Sequence, residues 1–165
     1  MSPDELLSLE LANVLAVLGI AASPIAELRV AIPWAILKYH FPWYYTFLIA
    51  IIGNLLPVPF ILLFLDAISR LLSKVGLFNR MLNWLFERTR RRGRIIERYE
   101  RIGLALFVAI PLPITGAWTG SLAAVLFGIR FKHALLSIFI GILIAGTIVT
   151  CATLLGWTIF GTWKA

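Results

Sequence analysis

The chain has 165 residues, 61% of them hydrophobic, a formal net charge of +7 and a mean hydropathy of +0.93. An ordinary soluble domain of this size has too little interior to hide that much apolar surface. Composition therefore excludes that class and points to an integral membrane protein of one domain, with four long apolar tracts at Leu6–Ala26, Val30–Leu72, Ile102–Ile129 and Ala134–Trp163. Barrel strands would alternate polar and apolar residues. These tracts do not, so an all-α fold is expected.

The first ten residues carry Asp4, Glu5 and Glu10 and no Lys or Arg, the wrong sign for a secretory signal. Ser2-Pro3-Asp4-Glu5 reads instead as a helix start. The apolar run that follows is broken at Ser23-Pro24, and the chain continues Ile25-Ala26-Glu27-Leu28-Arg29-Val30-Ala31-Ile32-Pro33. Two short helices, Leu6–Ala22 and Val30–Tyr39, flank this break. Phe41–Leu72 is long enough for one crossing, near ~48 Å as ideal helix against a ~30 Å core. Asn54, Pro57 and Pro59 mark a kink in it, because proline removes an intrahelical donor.

Residues 73–101 hold nine Lys or Arg and three acids, which is +6 of the net charge. The positive-inside rule places this loop in the cytoplasm. Phe78, Met81, Leu82, Leu85 and Phe86 recur at helical spacing, as in a segment lying on the membrane surface. The loop serves either as a topology signal or as an attractor of anionic headgroups. Nothing in it resembles a nucleic-acid-reading element.

The second broken tract reads Ile110-Pro111-Leu112-Pro113-Ile114-Thr115-Gly116-Ala117-Trp118-Thr119-Gly120, between Ile102–Ile110 and Thr119–Ile129. About ten residues of helix reach only ~15 Å, half the membrane core. The two broken tracts are thus read as re-entrant helical hairpins that enter and leave on one side. The alternative is ordinary spanning helices kinked at proline. Phe131–Trp163 supplies a second crossing, with Gly141, Gly146 and Gly156 available for close helix packing.

On the hairpin reading the layout repeats: residues 1–72, the basic loop, and residues 102–165, with an offset of 91 between chosen boundaries. Each repeat crosses once, so the second is inverted and the hairpins enter from opposite faces. Arg130 and Lys132 join the loop inside, and both termini lie outside.

Irregular backbone at membrane depth is tolerated only within protein or beside a watery cavity, and paired breaks point to a transport site. Ionisable groups in a membrane tract are functional candidates by default. Glu27 can bind and release a proton, and Arg29 offers a forked donor for phosphate or carboxylate. The bland alternative is an interfacial ion pair. A spacing of two does not place them on one helix face, so a direct pair needs a turn. In the second break Pro111 and Pro113 open the helix, Thr115 and Thr119 supply hydroxyls, and Gly116 lets backbone approach a ligand. Trp118 lies within the same motif, and Arg101 stands just before it as an anchor or a phosphate partner. Freed N–H groups there form either an anion site or a packed kink. Asn54 and Asp66 line a possible path, or else bond across helices and to Arg70.

One cysteine, Cys151, excludes an intramolecular disulfide and a multi-cysteine metal site. No paired catalytic carboxylates, nucleophile elbow, phosphate loop or metal box is present. The expectation is a non-enzyme without metal or cofactor.

The runs Glu27–Pro33 and Pro111–Gly120 resemble the prokaryotic family of small multidrug export proteins, over roughly residues 18–155. That family is distantly similar to the DedA superfamily. The resemblance implies two re-entrant hairpins in inverted repeat and movement of polyprenyl-phosphate carriers or other lipids between leaflets. By the same resemblance, Glu27 and Arg29 match the superfamily's first-hairpin acids and Arg101 one of its arginines. The superfamily's arginine after the second proline is replaced here by Thr115 and Gly116.

Three functions follow as expectations. The first is a transporter or flippase for an anionic lipid such as polyprenyl phosphate, coupled to protons through Glu27. The second is a proton-driven exporter of lipophilic cations. The third is a non-transporting membrane scaffold. Membrane lipids are the expected partners, with a homo-oligomer enclosing more volume than two crossings can alone.

Overall fold

The computed structural model describes residues 3–72, 93–112 and 115–161. All regular structure among them is helical. The helices are α1 (Pro3–Ala22), α2 (Glu27–Tyr39), α3 (Trp43–Leu55), α4 (Pro57–Leu72), α5 (Gly93–Ala109), α6 (Ala117–Leu126) and α7 (Phe131–Gly161). The surface segment at Phe78–Phe86, the Ser2 cap, Pro113 and the side chains of Asp66 and Arg70 lie outside the described residues.

Two stretches are long and apolar enough to cross a membrane, Trp43–Phe64 and Phe131–Gly156. The first passes from α3 to α4 through Leu56, whose N–H still donates to the Ile52 carbonyl at 2.9 Å. Leu56 itself keeps helical angles, φ −54° and ψ −47°, and the interruption falls where Pro57 and Pro59 lack the N–H that a continuous helix would use. The apolar part of α1, Leu9–Ala22, and the whole of α6 are shorter.

The chain divides into two compact units. The first comprises Met1–Leu56 with Ile142–Ala165, and the second Pro57–Gly141. In the first, α1, α2 and α3 pack pairwise on one another. Its core is rich in small side chains: Ala21, Ala31, Ala35 and Ala50 are fully buried beside Val17 and Ile32. Between lipid tails there is no hydrophobic drive to join helices, so close approach of small residues has to supply the attraction. Gly53 of α3 shows how close. A methyl group there would lie 2.8 Å from Ala21 Cβ and 2.9 Å from the Leu18 carbonyl oxygen of α1.

In the second unit α6 packs on α4 and α5. The same device recurs. A methyl at Gly141 of α7 would lie 2.7 Å from the Ala105 carbonyl oxygen and 2.6 Å from Val108 Cβ of α5. Gly53 meets Leu18 and Ala21 much as Gly141 meets Ala105 and Val108. The left-handed residues that follow α2 and α6, His40 (φ 54°) and Gly128 (φ 67°), fall in step with them. The helices after those turns start at Trp43 and Phe131. These landmarks stand 87–88 residues apart in the numbering.

Two sequence expectations need revision. The leading arm of the second broken tract does not begin at Ile102. α5 covers Gly93–Ala109 and so takes in the end of the basic run, whose Arg and Glu residues have good helix propensity. Gly156 is not used for close packing, since nothing lies within 4 Å of a methyl placed there. Gly141 and Gly146 are.

Candidate functional site

The first break is a hydrogen-bonded turn. The Ser23 N–H and hydroxyl both reach the Ile20 carbonyl, at 3.2 and 2.9 Å, so α1 ends on its own last turn. The Ser23 hydroxyl then accepts from the Ala26 N–H at 3.1 Å, and its carbonyl from the Glu27 N–H at 3.3 Å. Pro24, lacking an N–H, costs this turn no donor.

Glu27 opens α2 with φ 49°, a left-handed conformation that non-glycine residues adopt at a cost. That is the turn a direct pair requires. Arg29 Nη2 comes within 3.5 Å of Glu27 Oε2, although the two residues are only two positions apart. The pair is well covered, with side-chain exposures of 7% for Glu27 and 19% for Arg29. Glu27 also lies at a helix N-terminus, where the backbone dipole favours negative charge.

From Arg29 a groove of about 560 Å³ runs along α2, lined by Val30, Pro33, Trp34, Leu37 and Lys38. Its walls are apolar and its ends are cationic. Lys38 Nζ sits 4.4 Å from the centre of the Trp34 ring, which holds the second cation in place. Val30, Trp34 and Leu37 are exposed, so the groove faces outward from the helix. Lys38 and Trp34 were not singled out from the sequence. The signal was available: on α2 they recur with Arg29 and Val30 at helical spacing.

The second break is built differently. The Thr115 hydroxyl points into the break itself. It lies 2.5 Å from the Ile110 carbonyl and 3.0 Å from the Leu112 carbonyl, and accepts from the Leu112 N–H at 3.2 Å. These bonds tie the two ends of the interruption together, so that hydroxyl is already engaged. Gly116 precedes α6 at φ 155°, ψ −167°, a region almost confined to glycine. The Thr119 hydroxyl reaches back to the Gly116 carbonyl at 3.4 Å. Gly120 is pressed against Val108, with 2.5 Å between a methyl placed there and Cγ2.

The remaining candidates scatter. Arg101 is half-buried in the middle of α5, two turns before its end, and Pro111 and Trp118 are likewise half-buried. A cavity of about 470 Å³ between α5 and α6 is lined by Glu100, Gly103, Leu104, Phe107, Ala123 and Phe127, with none of the predicted residues in it. Asn54 is buried in α3, and Asp66 belongs to α4. Glu27, Arg29 and Asn54 belong to the first unit. Arg101, Pro111, Thr115, Gly116, Trp118 and Thr119 belong to the second. Of these, Glu27 and Arg29 form a direct ionic contact. No group of three His, Cys, Asp or Glu gathers among the described residues where a metal could sit.

Comparison with curated proteins and with solved structures gives no match. A protein family does match, from the Glu27 that opens α2 into the middle of α7: over residues 27–148 the chain belongs to the family described as "Putative small multi-drug export protein".

Proposed function

We propose that this protein is a membrane transporter that carries an amphipathic anion, an anionic lipid such as a polyprenyl phosphate, past the first break, with Glu27 as its exchangeable proton site. The carrying observation is the covered Glu27–Arg29 pair at the head of an apolar groove that ends in a second cation, Lys38. A headgroup phosphate or carboxylate arriving at Arg29 competes with Glu27 for one guanidinium. Protonation of Glu27 would weaken its hold on the fork in favour of the substrate, and departure of the substrate would restore the pair. The apolar walls suit a hydrocarbon tail that stays in contact with lipid.

The architecture we infer is a pair of re-entrant hairpins, α1–α2 and α5–α6, each followed by one crossing. Lengths support it. α2 spans ~20 Å and α6 ~15 Å, both short of a ~30 Å core. The recurring landmarks at Gly53 and Gly141, and at His40 and Gly128, support a duplicated unit. One crossing per repeat makes the second run through the bilayer opposite to the first, as in many secondary transporters.

A second reading is export of lipophilic cations; the family description speaks of small multi-drug export and names no substrate charge. The two cations flanking the groove count against it, because a fixed positive charge repels such substrates. Proteoliposomes separate the readings. Wild-type protein should move a fluorescent lipid phosphate between leaflets, and Arg29→Gln should not. Export of a lipophilic cation that survives Arg29→Gln would favour the second reading.

A further inference from the structure

Among the described residues, three buried polar atoms of the first unit have no hydrogen-bond partner: Thr46 Oγ1 and Asn54 Oδ1 on α3, and Thr150 Oγ1 on α7. The three residues are 0%, 1% and 5% exposed. Hydroxyls elsewhere in the molecule behave otherwise. Ser121, Thr147 and Thr153 each donate to the carbonyl four residues back, at 2.7, 2.8 and 2.7 Å. That is how a hydroxyl is ordinarily satisfied in an apolar helix. Thr46 and Thr150 forgo it.

By helical spacing, two of the three lie on the faces that α3 and α7 turn toward each other. A methyl at Gly146 would lie 2.9 Å from Ile51 and 3.1 Å from Phe47, so this part of α7 faces α3. Thr150 is one turn past Gly146 on the same face. Asn54 shares the face of Phe47 and Ile51, being seven and three positions beyond them. Thr46 borders that face and forms a buried stripe with Ala50 and Asn54 at i, i+4 and i+8. The stripe covers about 12 Å. One end lies in the first turn of α3, beside the exposed rings of Trp43, Tyr44 and Tyr45. At the other, Gly53 abuts Leu18 and Ala21, where α1 gives way to the turn that leads to Glu27.

We propose that the seam between α3 and α7 is a water route into the first unit, closed in this structure by Phe47 and Ile51 against Gly146. Its lining is Thr46, Asn54 and Thr150. Polar atoms at membrane depth are satisfied by protein or by water that lines a cavity. Here the protein satisfies none of the three, which biases the seam toward parting. Water suits them, since it accepts from hydroxyls and donates to an amide oxygen. A bound cation does not, because it needs several oxygens at one point and these are spread over about 12 Å. The route rests on the reading of Glu27 as the proton site, which it would supply.

The test is thiol accessibility in proteoliposomes, in a Cys151→Ser background. Thr46→Cys, Ala50→Cys, Asn54→Cys and Thr150→Cys are compared with Leu48→Cys and Ile52→Cys, both 58% exposed on the outer faces of α3. A small charged thiosulfonate reacts with thiolate, which forms only where water reaches. The seam positions should react at least tenfold faster than the two outer ones. Equal or slower reaction at all four seam positions overturns the route. A second measurement holds if a cysteine variant fails to fold. Thr46→Val with Thr150→Val should slow labelling of Asn54→Cys at least threefold, and unchanged labelling overturns the role of the hydroxyls. Labelling needs no substrate. A dry seam with Glu27-dependent transport therefore overturns the route alone, and a wet seam with Glu27-independent transport overturns the reading of Glu27 alone.

Discussion

Arg29 reaches back to Glu27 at 3.5 Å across two positions of one helix, because Glu27 itself takes φ 49°. In a regular helix residues two apart point away from each other. The left-handed residue rotates the carboxylate to the side where the guanidinium lies, so backbone strain and ion pair belong to one device.

Substitution separates the two. Glu27→Gly relieves the backbone, worth about 1 kcal/mol where glycine can adopt the native angles. It also takes the carboxylate away from a largely covered Arg29, a cost of about 1–3 kcal/mol. Glu27→Ala keeps the strain and removes the same carboxylate. Thermal unfolding in detergent should rank wild type above Glu27→Gly and Glu27→Gly above Glu27→Ala. If Glu27→Ala equals or exceeds Glu27→Gly, the left-handed angle carries no strain.

Gly53 and Gly141 predict a matched pair of defects. At each, a methyl would meet a backbone carbonyl within 3 Å, which cannot rotate aside. Gly53→Ala and Gly141→Ala should each destabilise by about 1–3 kcal/mol through overpacking. Gly156→Ala meets nothing within 4 Å and should be neutral or gain up to about 1 kcal/mol from helix propensity. Detergent-melting curves for the three variants check this.

Thr115 should prove to be a stability residue. Its hydroxyl bridges Ile110 and Leu112 across the break, so Thr115→Val should cost about 1–2 kcal/mol and Thr115→Ser much less. Lipid-phosphate affinity, measured on the folded fraction, should stay within about twofold. A tenfold loss of affinity at unchanged melting temperature would make the hydroxyl a ligand group after all.

Both breaks were legible in the sequence because proline and hydroxyl residues interrupt otherwise apolar runs, and helix length there falls short of a membrane. The interruption at Leu56 was legible for the same reason. The Glu27–Arg29 contact stood in the sequence only as the alternative that needs a turn, since side-chain spacing argues against it and a left-handed glutamate leaves no mark in composition. That α5 takes in Gly93–Arg101 was hidden because a dense run of arginines reads as a loop by charge while being helical by propensity. The similar approaches of Gly53 and Gly141 to backbone carbonyls emerged only from packing. Thr46 and Thr150 looked like ordinary helical threonines. Only the bonds they fail to make set them apart from Thr147 and Thr153.

The most direct measurement of the account is transbilayer movement of a fluorescent lipid phosphate in proteoliposomes, comparing wild type with Glu27→Gln. Glutamine keeps the size and can still hydrogen-bond Arg29, but it cannot exchange a proton. The account predicts movement by the wild type and a loss of at least tenfold in Glu27→Gln at equal reconstituted amounts. Equal rates in the two proteins, or no movement by either, would contradict it.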